Sequence, residues 1–572
     1  MSDGATSQSF FEELSVFTTS HNVSEETLPL LPSVQETLAQ WTSNSRYHAT
    51  YFTPILRGIP RLFLATDPSI SKIKKPFMDR EVLLRHWLHR PLLTLYASST
   101  PSLSLHLSLL TWVISDGWGD LFTQLEAAHL IHAHFPHFKL TLFTLIHQER
   151  TPPCCEHPFE QVLISYSGKL NGPISHSPFS REQLLILSRS DLLIEMPTAF
   201  PRIDELLASL TPTPSYLRLG ENSMIDSVLY HPTTPAWSMG LHFLEKGIFI
   251  KTLPLIENDL PLRDQNLRHL LLSPFEDVAN YRKHRRFQLA YTKSYRGLYL
   301  YLVAVLSSLA DDPRDLDICL FQAPLLAQVL HRQFQDPLSL EFPLFQQWNI
   351  GEFHLYISPH FTHVSISSSG KRVRFIHCDQ IAHDDQLLLT SFTDHLIGAT
   401  GDQSVLEAIA TGCPFFYDPP SFKRAFLIDL CHIAEKKLSA FPSLGQFLRL
   451  CLKDPTLSLE DDQGGWVSEN CVAATHDFLS LEEDNDLAIG QALGKLLKHP
   501  DLPLAFQALQ HYLANHYSMT PILKGLITRT ALGKQYPFLL EQEENELKKL
   551  LQGTQTLDET LTLIARHIDE KM

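Results

Sequence analysis

The chain has 572 residues, 44% apolar and 19% charged, with a net charge of −17. That length holds roughly two to four domains with full cores, and the apolar fraction excludes a disordered chain. The acidic balance excludes a general nucleic-acid binder, which needs a basic face. The opening MSDGATSQSFFEEL is polar and acidic, unlike a secretory signal. The longest apolar stretch, Leu298 to Ala310, is too short to span a bilayer. The eight cysteines are scattered without zinc spacing, and only Cys154 and Cys155 are adjacent. Reduced thiols and a cytoplasmic location are expected, with export lacking a cleaved signal and peripheral membrane contact left open.

Residues 1–100 alternate amphipathic runs with proline-broken segments and read as an N-terminal cap. Leu103 to Ile114 is a strand candidate, followed by the turn Ser115 to Asp120, a helix to His134 and a strand at Lys139 to Ile146. The turn carries Gly117 and Gly119 for close backbone approach. Asp116 and Asp120 place carboxylates at the carboxyl end of a strand, the edge where open α/β sheets bind ligands. Alternation continues with strands at Gln161, Leu192 and Tyr216 and helices at Arg181 and Ile203. Trp237 to Ile250 breaks the rhythm as either an acceptor-side loop or an edge hairpin with Glu245-Lys246 in its polar turn.

A second alternating region opens near Arg286. Strands are expected at Phe287, Asp317, Phe353 and Arg372, and helices at Gly297 to Leu309, Ala323 to Phe334 and His383 to Phe392. The basic run Arg282 to Arg286 reads as a solvated linker, and the pairs Asp311-Asp312 and Asp384-Asp385 as helix starts. From Phe422 onward the chain reads as mainly helical. The expected fold is α/β, with two facing doubly wound, Rossmann-like domains at 101–280 and 281–440, an N-terminal cap at 1–100 and a helical extension at 441–572.

The most informative stretch is His395 to Asp418, HLIGATGDQSVLEAIATGCPFFYD. It reads as strand, glycine turn at Thr400 to Gln403, helix, glycine stop at Gly412 and strand, with Pro414 unable to prolong the helix. A strand delivering the chain into a helix N-terminus makes an anion site. Glu407, one turn inside, is placed to accept from a ribose hydroxyl. The competing reading is a capping box, Ser404-x-x-Glu407, which needs no ligand.

Gly401, Ser404, Glu407, Ala408, Gly412 and Pro414 together resemble the donor-binding segment of GT-B glycosyltransferases. The strand, loop and helix before it resemble the same family, and the first loop, SDGWGD, resembles its acceptor-domain loop. The resemblance implies a nucleotide-diphosphate sugar as co-substrate, with no separate cofactor and no metal. It implies that the loop Asp379 to His383, with Gln380 and Ile381, lies against the nucleobase. The acceptor, a glycan, lipid-linked glycan or protein, would enter from the first domain. The retaining subclass carries a second acidic residue seven or eight positions before the ribose-binding Glu; Thr400 and Ala399 stand there, so an inverting reaction is expected.

The neutral Gln403 and Ser404 suit phosphate oxygens, while Asp402 suits a helix cap or a sugar hydroxyl. Lys293, just past the first strand of the second region, is a candidate cation for the leaving diphosphate, against the reading of an ordinary surface lysine. An inverting transfer needs a base, and Asp116 and Asp120 are the candidates, against turn-shaping and helix-start readings. The histidines of HLIHAHFPHF lack a carboxylate or cysteine in ligand register. A nucleotide-sugar epimerase and a non-catalytic glycan- or protein-binding scaffold are the alternatives.

Overall fold

A computed structural model describes residues 90–570, leaving aside 100, 114–117, 154–156, 168–176, 199, 201, 221–235, 242–244, 276, 322–324, 326–341, 358–359, 379–380, 420–422, 453–482 and 552–553. The expected cap up to residue 89, most of the expected helix Ala323 to Phe334, and the site candidates Asp116 and Gln380 lie outside the described residues. The described chain divides into two compact units. One holds the residues up to Phe249 and from Asn515 onward; the other holds those between Ile250 and Ala514. The helical stretch expected as a C-terminal extension is thus divided between the units.

The first unit is built on strands β1 (His106–Trp112), β2 (Lys139–His147), β3 (Glu160–Tyr166), β4 (Leu192–Glu195), β5 (Ser215–Gly220) and β6 (Ala236–Ser238). All pair in parallel, in the order β3-β2-β1-β4-β5-β6. Strands covered on both faces read as unbroken apolar runs, which is why Leu107, Leu109 and Leu110 are all buried. One face packs on Ala127, Ala128 and Ile131 of the helix Gly119–His134; the other packs on Phe200, Ile203 and Leu206. Gln124 on the first helix is fully buried, yet its amide donates to Leu109 O (2.8 Å) and Phe143 O (3.1 Å) and accepts from Thr144 Oγ1 (2.8 Å). This satisfies both ends of a buried amide and fixes the helix to two neighbouring strands.

The Trp237 to Ile250 segment supplies the edge strand β6 and then an antiparallel bridge between Gly240 and Gly247. This favours the hairpin reading over the loop reading. The expected polar turn is corrected, since Glu245 and Lys246 are both buried. Burial, with Arg90 nearby, lowers the Lys246 ammonium pKa to about 7. Gly247 is required here: its φ is +107° and a Cβ would lie 2.3 Å from Tyr517 O.

The second unit carries β7 (Arg285–Ala290), β8 (Asp315–Leu320), β9 (Ile350–Ile357), β10 (His360–Ser365), β11 (Lys371–His377), β12 (Ile397–Ala399) and β13 (Phe415–Tyr417). The order is β10-β9-β11-β8-β7-β12-β13, parallel except for the β9–β10 pair. The chain winds outward from β7 on both sides, so the topological switch point lies between β7 and β12. The helix Tyr295–Ser308 is buried on nearly every side. Its outer cover is the helix Glu483–Leu497, whose Gly490 and Gly494 face Val303 and Ser307. A Cβ at those two glycines would lie 2.6 Å from Val303 Cγ1 and 2.0 Å from Ser307 Oγ.

The basic run is corrected as well. Arg282 to His284 close the helix Val278–His284, and Arg285 and Arg286 open β7. Arg286 pairs with Asp312 and Asp394, both at 2.9 Å. Asp312 therefore closes the turn before β8 rather than starting a helix. Asp385 does lie in a first helical turn, and it also accepts the backbone N–H groups of Arg263 (2.7 Å) and Asp264 (2.9 Å).

Asp317, fully buried on β8, is gripped by Arg374, by Arg285 (3.1 Å) and by the Tyr281 hydroxyl (2.8 Å). Removing one partner from a buried ionic cluster leaves the others uncompensated. Asp317→Ala is expected to lower unfolding free energy by about 3–5 kcal/mol, measured by urea denaturation. A loss below about 1 kcal/mol, the range of a surface pair, would show that the cluster is not doing this work.

Candidate functional site

Three loops meet at the carboxyl edge of the second sheet around the switch point. They follow β7 (Tyr291 to Ser294), β12 (Thr400-Gly401) and β13 (Asp418 onward). Asp418, buried, organises them. Its Oδ2 accepts the backbone N–H groups of Lys293 and Ser294, both at 2.9 Å, and its carboxylate also receives the Ser294 hydroxyl. Its own N–H donates to Ala399 O (2.7 Å), and its carbonyl accepts from Thr400 Oγ1 (2.8 Å). Gly297 leaves room for this carboxylate, since a Cβ there would lie 2.2 Å from Oδ2.

The helix Asp402–Thr411 begins at the same edge and ends at Gly412 in the left-handed conformation, φ 68°, as the glycine stop predicts. Its capping differs from expectation. Gly401 is the N-cap, and Ser404 Oγ accepts the N–H groups of Thr400 (3.1 Å) and Gly401 (3.0 Å). Ser404 is thus the far member of the cap, and the proposed Ser404–Glu407 capping box is not formed. Asp402 is the first helical residue rather than the cap, and its Oδ2 accepts from Lys423 Nζ at 2.7 Å.

Glu407, 1% exposed, lies in a polar cluster beneath this turn. Oε1 receives Lys251 Nζ (3.2 Å) and Gln403 Nε2 (3.1 Å), and Oε2 receives Gln386 Nε2 (3.3 Å). His383 Nε2 lies 3.5 Å from Oε1. A buried carboxylate needs such partners, and the lysine supplies the compensating charge. Lys251, Gln386 and Lys423 were missed from sequence; they stand 156, 21 and 21 positions from the residues they touch, with no local motif to mark them.

The remaining candidates fall as follows. Gly401, Asp402, Gln403, Ser404 and Glu407 share one helix start, and Lys293 joins them through its backbone N–H with its side chain exposed. Ile381 is partly buried against the apolar cluster of Leu389 and Phe392. In the first unit, Asp120 sits in the first turn of the helix Gly119–His134 without capping it. Asp116 falls between β1 and that helix, outside the described residues. Trp118, beside it in sequence, stacks under the Arg150 guanidinium at 3.9 Å. His129 and His132 pack edge-on against Phe159, at 4.9 and 5.7 Å.

Two doubly wound, Rossmann-like units in one chain are the fold class of the GT-B glycosyltransferases. No protein-family model matches the chain, and no curated protein matches it. Solved structures similar to it include a family 9 glycosyl transferase from Veillonella parvula, with 11% identity, 55% of this chain and 80% of that one covered, and TM-score 0.28. Another is the ADP-heptose lps heptosyltransferase II of E. coli, with 13% identity, 55% and 84% covered, and TM-score 0.27. A third is the glycosyltransferase VinC in complex with DTDP, with 12% identity, 75% and 99% covered, and TM-score 0.31. None of them assigns a role to a residue of this chain.

Two largely buried histidines, His383 at this site and His395 at the opposite edge of the sheet against Ser308, carry a pH dependence. Burial first, then Lys251, takes the His383 pKa down to about 3. Burial first, then Arg286, takes His395 to about 4. In the unfolded chain an imidazole protonates near 6.5, so the unfolded state binds more protons as the pH falls below that value. Stability is therefore full above about pH 6.5 and is lost toward pH 4. His383 contributes about 2 kcal/mol of that loss at pH 5. His383→Gln is expected to shrink the drop in unfolding free energy between pH 7.5 and pH 5 by that amount. An unchanged drop would mean that His383 is not held neutral.

Proposed function

We propose that the protein is a glycosyltransferase that moves a sugar from a nucleotide-diphosphate sugar to a glycan, lipid-linked glycan or protein acceptor, with inversion and without a metal. The observation that carries this reading is the pairing of a helix N-terminus with a buried carboxylate one turn inside it, both at the switch point of a parallel sheet. A helix start favours the diphosphate through its backbone N–H groups, and the carboxylate favours a neutral diol. Nearby lysines, Lys251, Lys293 and Lys423, make the surroundings suitable for a polyanion.

In this reading the diphosphate lies over Gly401, Gln403 and Ser404, and Lys293 stabilises the charge that develops on the leaving group. Glu407 accepts from the ribose hydroxyls, exchanging the Gln403 amide for the ligand while Lys251 keeps the carboxylate charged and oriented. Asp402, tied to Lys423, shapes the turn and faces a sugar hydroxyl rather than phosphate. Gln380 and Ile381 flank the base. Asp116 or Asp120 takes the acceptor's proton.

The first experiment is a thermal-shift screen of nucleoside diphosphates and their sugars on the full chain. A ligand at a hundred times its dissociation constant adds about 2.7 kcal/mol of stability, and no response to any nucleotide would count decisively against the reading. With the donor identified, Glu407→Gln is expected to raise the donor KM with kcat largely kept, the mark of lost ground-state binding. Asp116→Asn is expected to abolish transfer while nucleotide still stabilises the protein; full turnover would remove Asp116 as the base. Interconversion of the sugar with no acceptor present would identify an epimerase instead.

A further inference from the structure

At the β10 edge of the second sheet, three side chains converge that the donor site does not use. His354 on β9 and His363 on β10 are cross-strand partners in register, and Glu352 precedes His354 by two residues on the same face. Glu352 Oε2 lies 2.9 Å from His363 Nε2, and Glu352 Oε1 lies 3.2 Å from His354 Nε2. One ligating atom from each residue falls within 4.8 Å of the other two. Donor atoms bound to a tetrahedral zinc at about 2.0–2.2 Å stand about 3.3 Å apart, so little movement would close the set.

The state of His354 gives a second, independent pointer. Its side chain is 14% exposed, and neither ring nitrogen makes a hydrogen bond. Nε2 is near Glu352 in distance but not in direction. An imidazole this little exposed with neither nitrogen in hydrogen-bonding geometry is costly, and a bound ion or water would satisfy it. The surroundings fix the ligands. Arg372 Nε donates to Glu352 Oε1 at 2.6 Å, leaving Oε2 on the His363 side. Phe361 packs edge-on against the His354 ring at 5.4 Å.

We propose that Glu352, His354 and His363 form a binding site for a divalent transition metal of the zinc class. Two imidazoles and one carboxylate suit that class and not calcium or magnesium, which take oxygen ligands. The metal would staple β10, an edge strand, to β9. Strands β11, β8 and β7 stand between β9 and β12, so the site acts on stability and takes no part in the chemistry proposed above.

The test uses the full chain, stripped with chelator, dialysed, and titrated with zinc chloride by calorimetry, with bound metal quantified. Because the chain has 29 histidines, the readout is the difference from variants. Wild type is expected to bind one equivalent more than His363→Ala and one more than His354→Ala, and zinc is expected to raise the melting midpoint of wild type only. Cobalt(II) chloride is expected to give tetrahedral visible bands that both variants lose. His363 is half exposed, so its variant carries the test if the buried His354→Ala fails to fold. Equal zinc stoichiometry and affinity in wild type and His363→Ala, or no zinc bound by wild type, would overturn the proposal. Neither result depends on whether the protein transfers sugar.

Discussion

The carboxyl edge of the second sheet depends on one carboxylate. Asp418 sits at the start of the helix Tyr295–Ser308, where two backbone N–H groups and a serine hydroxyl converge on it. A helix N-terminus buried without an acceptor would leave donors unsatisfied. Ser294 meets that need directly, its hydroxyl oxygen accepting the Gly297 N–H at 2.9 Å, and Asp418 holds Ser294 and the Lys293 N–H in place, joining the loops after β7, β12 and β13. The helix that Ser294 caps is apolar nearly all round, so the loops at its start are referred to a rigid element. Preorganisation of this kind lets short loops hold polar groups at fixed positions.

A consequence follows for ligand binding. Among the described helices that begin at this edge, two follow the strands flanking the switch point, and each is a potential anion site by its dipole and N–H groups. The start of Tyr295–Ser308 already holds the chain's own carboxylate. The start of Asp402–Thr411 is capped differently: a serine hydroxyl turns back onto the turn, and the one acidic residue of its first turn is drawn to Lys423. The internal charges are thus sorted in the way the proposed function needs, with the second helix start left without a carboxylate of the chain against its N–H groups. The buried Lys251–Glu407 pair beneath it adds a carboxylate whose charge is compensated from a distant segment; in the proposed function it would meet neutral hydroxyls without repelling a diphosphate.

Much of this was legible in the sequence, for physical reasons. Parallel strands buried on both faces read as continuous apolar runs, which is why Lys139 to Ile146 and Leu192 to Met196 were recognisable within a residue or two. Gly412 and Pro414 announced a helix end because few other residues tolerate that backbone. The misreadings share one cause. Local patterns were given local explanations where long-range partners decide. Arg285 and Arg286 looked like a solvated linker because their aspartates lie elsewhere in sequence. Ser404 and Glu407 matched a capping box, yet the hydroxyl turned toward Gly401 and the carboxylate toward Lys251. Strand β10 was passed over because an edge strand alternates polar and apolar residues too weakly to stand out.

The sequence by itself determined the α/β class, the two successive regions of alternating strand and helix, and the helix stop at Gly412, because apolar periodicity and glycine backbone freedom act over a few residues. Only the tertiary structure decided which charges meet. The pairing of Lys251 with Glu407, of Lys423 with Asp402, of Asp418 with the start of Tyr295–Ser308, and of His354 with His363 across two strands each requires chain segments that local pattern does not relate. Coulombic and hydrogen-bond partners are chosen by proximity in the folded state, after strand order and register have brought the segments together.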